Sequence, residues 1–316
     1  MNIGVLFSAD PQEQQMLTDA AGGNRIDFLD KHISGPALAP YEVLIGFPSL
    51  AQVQDAASLH YLQLTTAGAD RYLKCRHVQD RSVLLASASG AYGCGESEWM
   101  LALTMMMFKK LHLYRDHMHL ESGRWCSCGK VKAICGSTIV CIGTGDIGTE
   151  YARRVKALGA HVIGVCRTKA HSDVFDEIYT QHDCASLFSR ADAVALALPS
   201  TQETYHFLSR EYLSSMRSDA YLINAGRGDT VDTEALIEAL QRNSIAGAAL
   251  DVMEQEPLPD SSPLWELPNV MLTPHVAGGF NLSLTKSNII SLVSNNLSRY
   301  VNGEVPLHLV NPDAGY

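Results

Sequence analysis

Thr138-Ile-Val-Cys-Ile-Gly143-Thr-Gly145-Asp146-Ile147-Gly148 is the stretch on which the reading of this chain turns. Five residues rich in β-branched side chains run directly into GxGxxG. A helical pattern follows with Ile147, Tyr151, Val155 and Leu158 on one face and Gly159 as a left-handed cap. Each glycine has its own physical task. Gly143 permits the tight turn, Gly145 lets backbone amides approach a pyrophosphate, and Gly148 lets helix and strand pack closely. The first helical turn, with Asp146 and Ile147, presents unpaired amides and a positive dipole end to phosphate. A bare GxGxxG is weak, but at a strand-to-helix junction it predicts a dinucleotide site.

Working outward, apolar runs at residues 161–166, 193–198, 220–225, 246–252 and 270–273 follow 138–142 with helical intervals between them. Six strands in this rhythm predict a doubly wound parallel sheet. Upstream, runs at 3–7, 43–46, 61–65 and 83–86 alternate with helix-compatible stretches such as 50–59, a second α/β series. An amphipathic stretch over 97–119 carries the chain from one lobe to the other, and its Met105, Met106 and Met107 read as core packing. A last helical pattern near 282–300 is assigned back to the first lobe.

Bulk properties narrow the function. A chain of 316 residues, 46% of them hydrophobic, buries enough core for two domains. Its net charge of -10 and scattered cations exclude nucleic acid as a partner. The longest apolar run, 99–108, is far shorter than the roughly 20 residues of a membrane span, and MNIGVLFSAD lacks the basic n-region of a signal peptide. The eight cysteines, between Cys75 and Cys184, show neither a disulfide framework nor a paired CxxC, so free thiols in a cytoplasmic protein are expected. Cys126 and Cys128 read as ordinary thiols. His112, His117 and His119 lack the i, i+4 zinc spacing and read as a solvated helix end, so no metal site is expected.

Cofactor choice is written at the end of the second strand, where an NAD enzyme usually carries a carboxylate for the ribose 2'-hydroxyl. Here that position is Cys166, followed by Arg167, Thr168 and Lys169. With cations and no carboxylate, NADP is predicted over NAD. The chemistry is expected at three later strand ends: Asn224-Ala225-Gly-Arg227-Gly228, then Asp251 through Glu256-Pro257, then Thr273-Pro-His275. Open α/β sheets bind ligands beyond the carboxyl ends of their strands, so an arginine, a carboxylate and a histidine can converge there.

These segments, with Thr66-Ala67-Gly68-Ala-Asp70, Ser97-Glu98 and Leu198-Pro199-Ser-Thr-Gln-Glu-Thr204, closely resemble the D-isomer-specific 2-hydroxyacid dehydrogenase family over nearly the whole chain. The resemblance implies a Rossmann domain, 96–283, inserted into a flavodoxin-like substrate-binding domain made of 1–95 and 284–316, and a homodimer formed through the inserted lobe. It implies an oxidoreductase that passes a hydride from NAD(P)H to a small 2-oxo acid of the glyoxylate or hydroxypyruvate type. Arg227 would bind the substrate carboxylate and 2-oxo oxygen, and backbone amides at Ala67 and Gly68 would hold the carboxylate's other side. His275 would donate the proton, and Glu256 would orient and charge it. Pro199, Thr204, Ala225 and Asp251 match cofactor-contact positions. Transcriptional corepressors of the same fold are the alternative, a dinucleotide-sensing interaction protein. Two departures, Glu98-Trp99 where many members have Glu-His, and the Cys126-Ser-Cys128 loop, bear on substrate preference rather than on reaction type.

Overall fold

The computed structural model describes residues 1–118, 125–168 and 172–316, so Lys169 and His119 lie outside the described residues. The chain divides into two compact units, one made of Met1–Tyr92 with Gly279–Tyr316, the other of Gly93–Gly278.

In the first unit, β1 (Asn2–Val5), β2 (Arg25–Phe28), β3 (Val43–Gly46), β4 (Tyr61–Leu64) and β5 (Leu84–Ala86) form a parallel sheet in the order β2-β1-β3-β4-β5. That is the flavodoxin-like order. Helices α1 (Pro11–Ala20), α2 (Leu50–Asp55) and α3 (Arg76–Gln79) connect the strands. Reciprocal capping by Asp10 with Glu13 and by Ser49 with Gln52 starts the first two. Strands β3 and β4 are buried on both faces, which is why they read as continuous apolar runs.

The second unit opens with α4 (Gly93–Lys109) and α5 (Leu111–His117). Seven parallel strands follow: β6 (Thr138–Ile142), β7 (His161–Cys166), β8 (Glu177–Thr180), β9 (Ala193–Leu196), β10 (Tyr221–Asn224), β11 (Gly247–Leu250) and β12 (Val270–Leu272). Their order, β12-β11-β10-β9-β6-β7-β8, is the Rossmann order extended by one strand, and it reverses between β6 and β9. Helices α6 (Asp146–Ala157), α7 (Arg210–Ser215) and α8 (Thr233–Gln241) cross between strands. Apolar clusters pack on each side of the sheet. One is built around Val140, Val194, Leu222 and Leu236, the other around Met100, Tyr151, Ile139 and Ile223.

The chain then returns to the first unit as α9 (Ser283–Val301). Lys286 pairs with Glu13 of α1 at 2.7 Å, and Tyr300 stacks on Tyr61 with centroids 4.5 Å apart. The buried amide of Asn296 donates to Gln63 at 2.8 Å and to the carbonyl of Leu307 at 2.9 Å. Beyond the helix, Val310 donates to the carbonyl of Leu85, and Leu309 bridges Ala86 in antiparallel sense.

Several local expectations need correction. Strands β2 and β8 were not foreseen, because both are sheet edges whose side chains are partly or fully exposed and carry charge. The predicted helix over 97–119 begins earlier, at Gly93, and breaks at Lys110, whose φ of 55° is left-handed. Of the three methionines only Met107 is fully buried, while Met105 is 40% exposed. Leu158 is exposed as well, because α6 ends at Ala157 and Gly159 turns the chain with a φ of 89°. His112 is only partly solvated: its Nδ1 is buried without a hydrogen-bond partner.

Candidate active site

The dinucleotide turn is built by contact as much as by conformation. Gly143 has a φ of 101°, and a Cβ there would lie 2.5 Å from the carbonyl oxygen of Ala197, across the point where strand order reverses. At Gly148 a Cβ would lie 1.9 Å from the oxygen of Gly143. Gly145 differs, because a Cβ on it meets nothing within 4 Å. Two glycines are therefore demanded by the protein itself, and the third faces open space at the start of α6. Ile147 packs against the cluster that includes Met100 and Tyr151. Asp146, the first residue of α6, accepts a hydrogen bond from the amide of Gly93 at 2.7 Å and so joins the start of α4 to this turn.

Past β7, Cys166 is partly buried with its thiol toward the carbonyl of Tyr179, while Arg167 and Thr168 are exposed. Past β9, Thr204 is buried and accepts from the amide of Thr201 at 2.8 Å while its hydroxyl donates to the carbonyl of Pro199 at 2.7 Å. Thr204 thus closes the loop that begins at Pro199.

Past β10, Ala225 is buried and the two glycines flanking Arg227 explain its position. A Cβ at Gly226 would lie 2.8 Å from the nitrogen of Leu198, and one at Gly228 would lie 1.9 Å from the carbonyl carbon of Met253. The backbone around Arg227 therefore packs against the loops after β9 and β11. Asn224, fully buried, locks the turn by accepting from the amide of Gly226 and donating to the carbonyl of Arg227. The Arg227 guanidinium donates to the carbonyl of Gly226 at 2.8 Å.

Past β11 and β12 the carboxylate and imidazole meet. His275 Nδ1 lies 2.8 Å from Glu256 Oε2, while Glu256 Oε1 accepts from the amide of Met253 at 2.9 Å. The His275 backbone is left-handed, with φ 53°, and its amide donates to the carbonyl of Asp251 at 2.8 Å. Asp251 is buried, and its carboxylate accepts from the hydroxyl of Thr273 and from the amides of Val276 and Ala277, at 2.6, 3.0 and 3.0 Å. Its oxygens grip the loop that carries His275.

Electrostatics follow the geometry. The hydrogen bond that His275 donates to Glu256 raises the His275 pKa above its ordinary value, against burial and the nearby Arg227 charge. Burial pushes the Glu256 carboxyl up, but the bonds from His275 and the Met253 amide, with the charges of His275 and Arg227, hold it below the usual range. The sequence reading missed one group. Glu96, on the first turn of α4, feels the charges of Arg227, His275, Asp251 and Asp146, and burial pushes its carboxyl up to about 7. The signal was there: an acid three residues after Gly93 and four before Met100, on the stripe of α4 that is otherwise small or apolar.

The remaining predicted residues belong to other segments of the chain. Ala67 and Gly68 follow β4 in the first unit, where the Thr66 hydroxyl donates to the carbonyl of Gly68 at 2.9 Å. Glu98 is exposed and pairs loosely with Arg154 at 3.7 Å, and Trp99 packs against the Met100 cluster with its indole nitrogen buried and unbonded. In the cysteine loop, Cys128 Sγ lies 3.6 Å from His117 Nδ1, and the Cys128 amide donates to the hydroxyl of Tyr114.

Residues 101–277 match the family described as D-isomer specific 2-hydroxyacid dehydrogenase, NAD binding domain. A glyoxylate reductase of Korarchaeum cryptofilum is 31% identical over 283 residues, 85% of this chain and 82% of the relative. A glyoxylate reductase of Thermofilum pendens is 32% identical over 271 residues, 83% of this chain and 78% of the relative. A crystal structure of a D-isomer specific 2-hydroxyacid dehydrogenase family protein from Aeromonas salmonicida superposes with a TM-score of 0.83 at 26% identity, covering 99% of both chains. With an NAD-binding domain of this order and three strand-end loops of this pattern, the chain belongs to the D-isomer specific 2-hydroxyacid dehydrogenase family.

Proposed function

We propose that this enzyme reduces small 2-oxo acids of the glyoxylate or hydroxypyruvate type to D-2-hydroxy acids, with NADPH preferred over NADH. The observation that carries the proposal is the His275–Glu256 pair, held at 2.8 Å on adjacent strand ends, with Arg227 within electrostatic reach of both. The dinucleotide turn fits the cofactor: Gly145 leaves open the space that a pyrophosphate requires, at the amide end of α6. Bound there, the reduced nicotinamide supplies the hydride.

The protein's own part is to bind, orient and protonate. Arg227 offers a planar fork of donors to the substrate carboxylate and to the 2-oxo oxygen, where negative charge develops. His275, whose protonated form Glu256 favours, donates its Nε2 proton to that oxygen and takes it back in the reverse direction. Asp251, Thr204 and Pro199 shape the loops beside the cofactor. The assignment of Ala67 and Gly68 to the carboxylate rests on the family resemblance.

The cofactor preference is supported by Arg167 and Thr168, exposed directly after β7 with no carboxylate at its end. A homodimer is supported by the apolar side chains that the second unit leaves exposed on α4, α5 and the segment beside them. These include Met105, Leu111, Met118, Trp125 and Val131, with Trp125 fully exposed. Sedimentation or light scattering tests the dimer. The activity is tested by following NADPH absorbance with a panel of 2-oxo acids, where turnover on the order of 1 to 1,000 per second is expected and none on any acid refutes the proposal.

A further inference from the structure

Glu96 occupies a costly position. The face of α4 that meets the rest of its unit carries Gly93, Ser97, Met100, Leu103, Thr104 and Met107, all buried. Glu96 stands on that face, one turn from Gly93 and one from Met100, where a carboxylate loses part of its hydration. Nor is its placement loose. The amide of Gly93 is bonded to Asp146, and a Cβ at Gly93 would lie 2.2 Å from Asp146 Oδ1, so the first turn of α4 is pressed against the first turn of α6. Glu96 is itself only partly buried, and among the described residues its carboxyl has no hydrogen bond and no ion pair, so its oxygens open to solvent rather than to a protein partner. The charged groups it faces are Arg227 after β10, Asp251 after β11, His275 after β12 and Asp146 at the start of α6.

An unpartnered acid that opens to solvent within electrostatic reach of the reacting groups has a purpose other than packing. A structural role would have been filled more cheaply by the apolar residues that occupy the rest of the stripe. We propose that Glu96 determines specificity, selecting 2-oxo acids whose third carbon bears a hydrogen-bond donor, a hydroxyl or an ammonium group, and rejecting those that carry a second carboxylate there. The inference rests on the assignment of Arg227 and His275 to the substrate. Those two groups fix the carboxylate and the carbonyl, so the third carbon is the part of the substrate left for Glu96. A hydroxyl supplies the donor that the Glu96 oxygens lack, and a methyl supplies nothing. A second carboxylate is opposed by Glu96 in its ionised form.

The test uses the full chain with NADPH and three probes of similar size: hydroxypyruvate, pyruvate and oxaloacetate. Rates are measured for the unaltered protein and for E96Q and E96T, and melting curves show that each variant folds. The unaltered protein is expected to favour hydroxypyruvate over pyruvate in kcat/KM by about tenfold or more, because a site built to bond a hydroxyl is left unpaired by its absence. E96T reduces that ratio to within about threefold, and E96Q raises the relative rate on oxaloacetate by about tenfold. Discrimination against oxaloacetate in the unaltered protein also grows from about pH 6 to pH 8 as Glu96 ionises, and is flat in E96Q. Taking the ratio of two substrates removes the titration of His275, which both share. Ratios unchanged by both substitutions, or a hydroxypyruvate to pyruvate ratio near one in the unaltered protein, overturn this proposal alone. No turnover of any 2-oxo acid overturns it together with the function it rests on.

Discussion

The carbonyl of Asp251 accepts the amide of His275 at 2.8 Å, while the carboxylate of the same aspartate takes the next two amides and the hydroxyl of Thr273. One buried residue thus holds the imidazole's backbone in a left-handed conformation that a histidine does not favour. D251N turns one accepting oxygen into an NH2 that faces a backbone N–H. The expected result is a loss of stability of about 1–3 kcal/mol and a fall in kcat larger than the change in NADPH affinity. Denaturant unfolding and single-turnover kinetics measure both. Unchanged kcat would remove Asp251 from the positioning role.

Glu256 raises the His275 pKa, so E256Q is expected to move the alkaline limb of the reductive kcat/KM profile toward acid by about one pH unit or more. The pair also leaves a signature in stability. The raised histidine contributes most below its unfolded pKa and loses the contribution as pH rises through the folded value. The depressed Glu256 contributes above its unfolded pKa and loses the contribution as pH falls through its own folded value. The deficit in Tm of E256Q should therefore be greatest between about pH 5 and pH 6.5 and shrink on either side. A deficit independent of pH contradicts the pairing.

Two glycines should separate folding from cofactor binding. G228A forces a Cβ into the backbone at Met253 and is expected to cost about 3 kcal/mol or more, read as a large drop in Tm or as insoluble protein. G145A meets no protein atom, so its Tm should match that of the unaltered chain while its NADPH affinity falls by about tenfold or more. Normal NADPH binding by G145A would show that the open space beside it is not the pyrophosphate's.

Arg167 is the described cation next to the place where a 2'-phosphate would lie. R167S is expected to raise the KM for NADPH by about tenfold and to leave that for NADH nearly unchanged. Equal changes for the two cofactors would assign the arginine to something other than the phosphate.

Where a residue's task is set by its immediate neighbours in the chain, the sequence was readable. The glycine turn at 143–148 and the strands buried on both faces, such as β3, β9 and β10, carry their instructions locally. Glu256 and His275 were legible because they follow consecutive strand ends in a sheet whose order the motif implied. The edge strands β2 and β8 were not, since an edge buries too little to leave an apolar signature. The break at Lys110 was hidden for another reason: a non-glycine left-handed residue has no spelling of its own. Glu96 escaped because its meaning depends on Asp146, Asp251 and His275, which lie far along the chain and become its neighbours only after folding.

Both ends of the chain build the first unit, whose β4 and β5 are completed by Asn296, Tyr300 and Val310. On the ribosome, therefore, Met1–Tyr92 emerges without the helix and strap of Gly279–Tyr316 that finish it. The contiguous second unit, Gly93–Gly278, can collapse around its own sheet before Gly279–Tyr316 is made. The nascent segment Met1–Tyr92 must wait, with apolar β4 uncovered, until Gly279–Tyr316 has been synthesised, and over that interval it is open to misassembly.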